Sequence, residues 1–250
     1  MFKSSSSNVL LIQLCSLVVS ILGIYNYTLG VGELTTVLIF YFLYCGIGVG
    51  MMLHRYYSHK SFIFRSAIVQ KLFTAITVLA GRGSPIGWVY VHREHHAYSD
   101  TDKDPHAPNS LSMLLPHITK VEKVNLRLVK DLLDKENIFI NDWYMLIHIV
   151  FVLVLTTINP WLTVFVWAIP VFITATMMDV STYYNHTVGY KNFDSRDNSK
   201  NNWIFGYSMF GEGWHNNHHS NPKEITTKIK WWEFDPISWV IRLTKETNVL

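Results

Sequence analysis

The chain has 250 residues, 49% of them hydrophobic and 14% aromatic, with only 16% charged and a formal net charge of +3. Charged residues fall well short of the quarter usual in soluble domains, and the mean hydropathy is +0.17, which points to a membrane protein. The small net charge and the absence of a long basic run give no reason to invoke nucleic acid, and the two cysteines, Cys15 and Cys45, lie inside apolar segments and read as small apolar side chains, not a disulfide framework.

The first apolar segment covers 9–29. Its core is free of charge, Tyr25 and Tyr27 serve as interfacial anchors, and no cleavage signature follows, so it reads as a retained span. A second run, 34–53, is long enough to cross about 30 Å of hydrocarbon and ends directly at His54. Gly46, Gly48 and Gly50 give it a small-residue face that a neighbour or a substrate chain could approach. Runs at 143–158 and 161–180, joined by Asn159-Pro160, predict a tight helical hairpin, with Pro170 expected to kink its second arm.

The stretch 67–80 is ambiguous, being short and carrying Gln70 and Lys71. If it crossed the membrane, His54 and His92 would lie on opposite faces, so it is expected to be peripheral or re-entrant. Four spans then place all 21 basic residues on the side holding the histidines, and the positive-inside rule makes that side the cytoplasm. The expected architecture is a single all-α domain over 1–250, an integral membrane four-helix bundle. A cytoplasmic helical cap from 54–142 and 181–250 would hold the metal site. Within it, 98–142 is a polar connector, and the aromatic and basic tail around 231–242 is expected to lie on the membrane surface.

Eight of the 12 histidines form three clusters: His54 and His59; His92, His95 and His96; His215, His218 and His219. The last two sets have i, i+3, i+4 spacing, which puts three imidazoles on one helical face. His54 and His59 are five apart, roughly 140° around an α-helix, so they converge only if the helix ends between them or if they serve different metals. Imidazole is the commonest protein ligand for metals. Four to six ligands saturate one ion, so eight imply two ions, and all-nitrogen ligation without thiolate favours redox iron. Glu94, Asp100, Asp104 and Glu212 are candidates to orient the imidazoles from behind, with Asp104 and Glu212 preferred because they abut the clusters.

Three motifs carry a resemblance: His54-Arg-Tyr-Tyr-Ser-His59, the stretch from His92-Arg-Glu-His95-His96 to Asp104-Pro105-His106, and Gly211-Glu-Gly-Trp-His215-Asn-Asn-His218-His219. They resemble the three histidine boxes of the membrane acyl-CoA desaturases of the stearoyl-CoA type, over nearly the whole chain. The resemblance implies a four-span bundle, two Fe2+ ions and nine histidine ligands, the ninth matching His186 at the end of the fourth span. It implies that His106 orients neighbours and that Trp88 lies near the carbonyl end of the substrate. Where the family often has an asparagine reaching a metal through water, this chain has Thr182, with Asn185 close by as an alternative. An Arg-Asp pair of the animal enzymes is replaced here by Tyr90-Val91. Of the remaining histidines, His117 reads as surface and His148 as internally hydrogen-bonded.

The implied reaction is oxygen-dependent insertion of a cis double bond into a long-chain acyl substrate, with delta-9 position as a family expectation. Molecular oxygen and membrane lipid are further partners. No flavin, haem or nicotinamide motif is present, so electrons would come from a separate b-type cytochrome or ferredoxin. Phe42, 12 residues before His54 and so roughly 18 Å away along a helix, is a candidate to close the substrate tunnel, the alternative being a lipid-facing aromatic. Two rival functions remain open: a membrane hydroxylase of the same di-iron design, and a metal-binding protein without redox chemistry.

Overall fold

The computed structural model describes residues 6–105 and 125–246, so His106, His117 and most of the expected connector lie outside the described residues. Among the described residues four helices are long and apolar enough to cross a membrane: Ser7–Asn26, Val31–Ser58, Lys135–Ile158 and Pro160–Thr187. The apolar runs expected at 34–53, 143–158 and 161–180 lie within these longer helices. Apolarity ends before the helix does, and the additional turns carry His54 and His186. The first helix stops at Asn26, three residues short of its expected end, and among the described residues strand pairing is limited to isolated bridges.

The second and fourth spans form the inner pair, with 67% and 56% of their apolar windows buried against 33% and 22% for the first and third. The outer helices turn Leu11, Leu14, Val18, Ile149 and Leu153 outwards, where lipid would meet them. Away from the histidines, the inner pair is tied by Trp161 Nε1, which donates to Glu33 Oε1 at 3.1 Å. Asn159, in extended conformation, ends the third span, and its side chain caps the fourth through Trp161 N at 3.0 Å.

Within the spans, among the described residues, two stretches are π-wound instead of α-helical. Phe42–Ser58 forms a π-helix with i→i+5 bonds, and so does Thr163–Ala168. The second precedes Pro170, which has no N–H to offer Val166 O, and that carbonyl accepts from the Tyr44 hydroxyl at 3.1 Å.

Helix Ala67–Leu79 is about 20 Å long and cannot span. It is re-entrant: its tip, 80–84, is buried among the spans. Gly81, with φ +74°, leaves no room for a Cβ against Val171 and Ile12. Gly83 N donates to the Tyr144 hydroxyl at 2.9 Å, and Ser84 Oγ donates to Asn141 Oδ1 at 2.7 Å. Arg82 Nη2 meets Asp179 Oδ1 at 2.7 Å, and Gln13 Nε2 meets Asp179 Oδ2 at 3.2 Å, so one carboxylate joins the tip to the first and fourth spans.

The small-residue face of the second span receives protein neighbours. Gly46 faces Ile237 and Phe210, Gly48 faces Ala80 at the re-entrant tip, and Gly50 faces Glu212. Ile237 and Ile241 are the buried face of the amphipathic helix Pro236–Thr244, whose Trp239 and Leu243 point outwards. Asp179→Ala would leave the Arg82 guanidinium buried without this carboxylate. The expected cost is about 3–5 kcal/mol, read as earlier thermal unfolding in detergent micelles. An unchanged midpoint would deny the pair its role in seating the tip.

Candidate metal centre

The re-entrant tip returns as helix Pro85–Tyr98, started by Ser84, whose Oγ accepts from Gly87 N at 3.1 Å. This helix brings His92, His95 and His96 to the ends of the second and fourth spans. The short helix His215–Ser220 brings the last three. Its approach depends on Gly213, where a Cβ would lie 2.1 Å from Gly206 N.

Among the described residues nine imidazoles gather in two adjacent groups: His54, His59, His92, His96 and His218 in one, His95, His186, His215 and His219 in the other. Within each group the potential ligand atoms lie within 4.8 Å of one another. Each of the two triple motifs is divided between the groups: the i, i+4 pair goes to one and the middle histidine to the other. The groups touch where His96 stacks on His219, centroids 4.4 Å apart.

His54 and His59 share one group, and of the two sequence alternatives the first holds: the helix ends at Ser58, between them, with His59 as its C-cap. In π winding the fifth residue takes the place beside the first, and His59 N bonds His54 O at 3.3 Å. Their rings are 5.2 Å apart.

The Nε2 atoms face one another. His59 and His92 are 2.8 Å apart, His54 and His218 2.9 Å, His96 and His218 3.0 Å, His186 and His215 3.1 Å, and His95 and His219 3.3 Å. Two nitrogens bound to one ion at about 2.0–2.1 Å would be separated by roughly 3.0–3.4 Å. The donor set thus fits nitrogen-ligated metal in both groups.

Behind the rings, carboxylates take Nδ1. Asp104 holds His95 at 2.9 Å, Asp100 holds His186 at 3.1 Å, and Glu212 holds His54. Asp197 holds His219 at 2.6 Å. Asp197 was not singled out in the sequence, because it stands in a polar loop beside Asp194 at no diagnostic spacing. Glu94 takes no part, accepting instead from the Tyr90 hydroxyl at 3.1 Å. A carboxylate on Nδ1 fixes the proton there and leaves Nε2 free to ligate.

A cavity of about 60 Å³ lies beneath the groups, lined by Trp88, Arg82, Met178, Thr182, Asn185 and Met209 among others. Trp88 stacks on His92 with centroids 4.7 Å apart. Thr182 Oγ1 donates to Met178 O within its own helix at 2.9 Å, whereas Asn185 Oδ1 is buried without a partner among the described residues. Phe42 is half-buried and packs edge-on against Phe210 at 5.1 Å, so it faces protein and not lipid alone.

Burial, then repulsion from neighbouring rings, pushes His59 down to about 2 and lowers His92, His96, His215 and His218 well below their ordinary value. Burial lowers His219 to about 4, with Asp197 opposing it. Burial raises Glu212 and Asp197, but attraction to His54 and Arg55 in the first case and to His219 in the second leaves both carboxyls below their usual range.

Four apolar spans carrying two buried imidazole groups define an integral membrane protein organised around a candidate metal centre. The chain belongs to the fatty acid desaturase family, whose model matches residues 32–246, and it is a desaturase by that membership. It is 34% identical over 214 residues to an sn-1 stearoyl-lipid 9-desaturase of Anabaena variabilis, covering 81% of this chain and 76% of that protein. It is 31% identical to an sn-2 palmitoyl-lipid 9-desaturase of Nostoc sp. (strain 36), covering 81% and 75%. It is also 31% identical to a delta-9 acyl-lipid desaturase of Arabidopsis thaliana, covering 78% and 67%.

Unfolding releases the depressed histidines to take up protons below about pH 6.5, so the unfolded chain binds more protons there than the folded one. Stability of the metal-free protein is therefore expected to be full above that pH and to fall as pH drops below it. Denaturant midpoints measured in micelles across that range check the sign; a midpoint that rises on acidification contradicts it.

Proposed function

We propose that this protein inserts a cis double bond, at the delta-9 position, into a saturated long-chain acyl group at a pair of iron ions held by the nine histidines. The observation that carries the reading is the pairing of two nitrogen-only groups, five and four imidazoles, in contact and backed by carboxylates. Nitrogen donors without thiolate suit redox iron better than structural zinc. Bound iron would supply the oxygen chemistry needed to remove hydrogen from an unactivated methylene.

The chain's own residues would do the rest. His54, His59, His92, His96 and His218 would hold one ion, and His95, His186, His215 and His219 the other. Asp104, Asp100, Asp197 and Glu212 would fix the rings. Asn185 is the better candidate than Thr182 to hold water at the four-histidine position, because its buried Oδ1 has no other partner among the described residues while the Thr182 hydroxyl is engaged. Trp88 would wall the cavity where the acyl chain passes, and Phe42, on Phe210, would limit its depth.

Lipid-linked acyl groups are favoured as substrates by the names of the relatives from Anabaena variabilis and Nostoc, which act on stearoyl-lipid and palmitoyl-lipid. The distribution of basic residues supports a cytoplasmic active site, and the outward Trp239 and Leu243 support a tail resting on the membrane surface. Electrons would come from a separate b-type cytochrome or ferredoxin, since the sequence shows no motif for a redox cofactor of its own beyond the metals.

Expression in a desaturase-deficient host, with fatty-acid profiling by mass spectrometry, tests the reading. The expected product is two hydrogens lighter than its precursor and has gained no oxygen. His95→Ala is expected to abolish it while the protein still accumulates in the membrane. A product carrying an added oxygen would replace desaturation with hydroxylation. Phe42→Ala is expected to shift the product towards longer chains; an unchanged profile in an active variant would remove Phe42 from the tunnel.

A further inference from the structure

The two imidazole groups differ in what stands behind them. In the four-histidine group three rings carry an aspartate on Nδ1: Asp104 on His95, Asp100 on His186 and Asp197 on His219. In the five-histidine group His54 has Glu212, and among the described residues no carboxylate pairs with His59, His92, His96 or His218.

The carboxylates are also held differently. Glu212 Oε1 accepts from Arg55 Nη2 at 2.9 Å, a charged donor. Arg55 is buried, and its Nη1 reaches Asp235 Oδ1 at 3.0 Å on the far side. Asp100 and Asp197 instead accept from neutral backbone N–H groups, Asn198 N at 2.7 Å and Ser199 N at 3.0 Å. Among the described residues neither is paired with lysine or arginine. The five-histidine group therefore has two carboxylates and one guanidinium behind it, a net single negative charge. The four-histidine group has three carboxylates, with the Lys191 ammonium 2.8 Å from the Asp197 backbone oxygen, so it remains the more negative of the two.

An ionised carboxylate on Nδ1–H makes the opposite nitrogen a stronger donor. Negative charge near a buried ion also stabilises its more positive state, and does so more strongly away from water. Both effects act in the same direction at the four-histidine group.

We propose that the two metal positions are redox-inequivalent. Asp100, Asp104 and Asp197 tune the four-histidine position to retain Fe3+, while the five-histidine position, offset by Arg55, is reduced first. The inference rests on both groups being iron sites. The three aspartates act through the histidines and are positioning residues.

The test is stepwise reduction of the full-length iron-loaded protein in micelles with dithionite, followed by Mössbauer spectroscopy. Each Fe3+ takes one electron to become Fe2+. The wild-type protein is expected to show two distinct irons reduced in two steps. Asp197→Asn and Asp100→Asn remove charge from the four-histidine side and are expected to bring the steps together. Glu212→Gln removes charge from the other side and is expected to move them apart.

Metal affinity gives a second readout, since loss of such a partner weakens binding about 10–100-fold, here at one of two irons. If Asp197→Asn retains a single iron, the inference requires it to be the one reduced at the first step; retention of the other overturns it. Two irons that reduce together in the wild type, or variants that leave the spacing unchanged, overturn this inference alone. A wild-type protein that binds no second iron overturns the proposed function as well.

Discussion

Nine imidazole nitrogens turned towards one another are the arrangement on which the rest of the molecule depends. Nε2 atoms about 3 Å apart need a proton or a cation between them. At His95 and His219 an aspartate takes the ring proton on each Nδ1, so two Nε2 lone pairs are left facing each other. The carboxylates settle which nitrogen carries the proton at His54, His95, His186 and His219, and so leave Nε2 available at each. A hydrophobic core alone gives no reason for this arrangement; a pair of nitrogen-bound ions does.

The membrane architecture serves that convergence. The inner spans run past their apolar segments to carry His54 and His186 to one end of the bundle. A re-entrant hairpin, seated by Arg82 and Asp179, returns to the same end with three more histidines. The C-terminal segment closes the assembly from outside. Asp235 holds Arg55, and Glu233 accepts from Asn217 Nδ2 at 3.0 Å within the last histidine motif. The site's rigidity thus reaches several residues beyond any ring that could touch a metal.

Much of this was legible because the signals are local. Apolar run length marked the four spans, histidine spacing marked the three motifs, and the need to place His54 and His92 on one side excluded a fifth span. The less legible features are those in which backbone winding or distant pairing decides the outcome. Nothing in Phe42–Ser58 distinguishes π from α winding by composition, yet that choice puts His54 and His59 in one group. Spacing placed the triple histidines on one face but could not say that the face straddles two groups. Asp197 looked like any acid in a polar loop, and Arg55 like part of a motif, until the fold brought each to a partner far away in the chain. The glycines of the second span fitted a neighbour or a substrate equally well on paper, and only the packing assigned them to protein.

The most direct measurement is X-ray absorption at the iron edge, with metal quantitation, on active protein purified in detergent. Two irons per chain in a shell of nitrogen and oxygen donors, with imidazole scattering, is the predicted result. A single iron, a sulfur donor or active protein without iron would contradict the account.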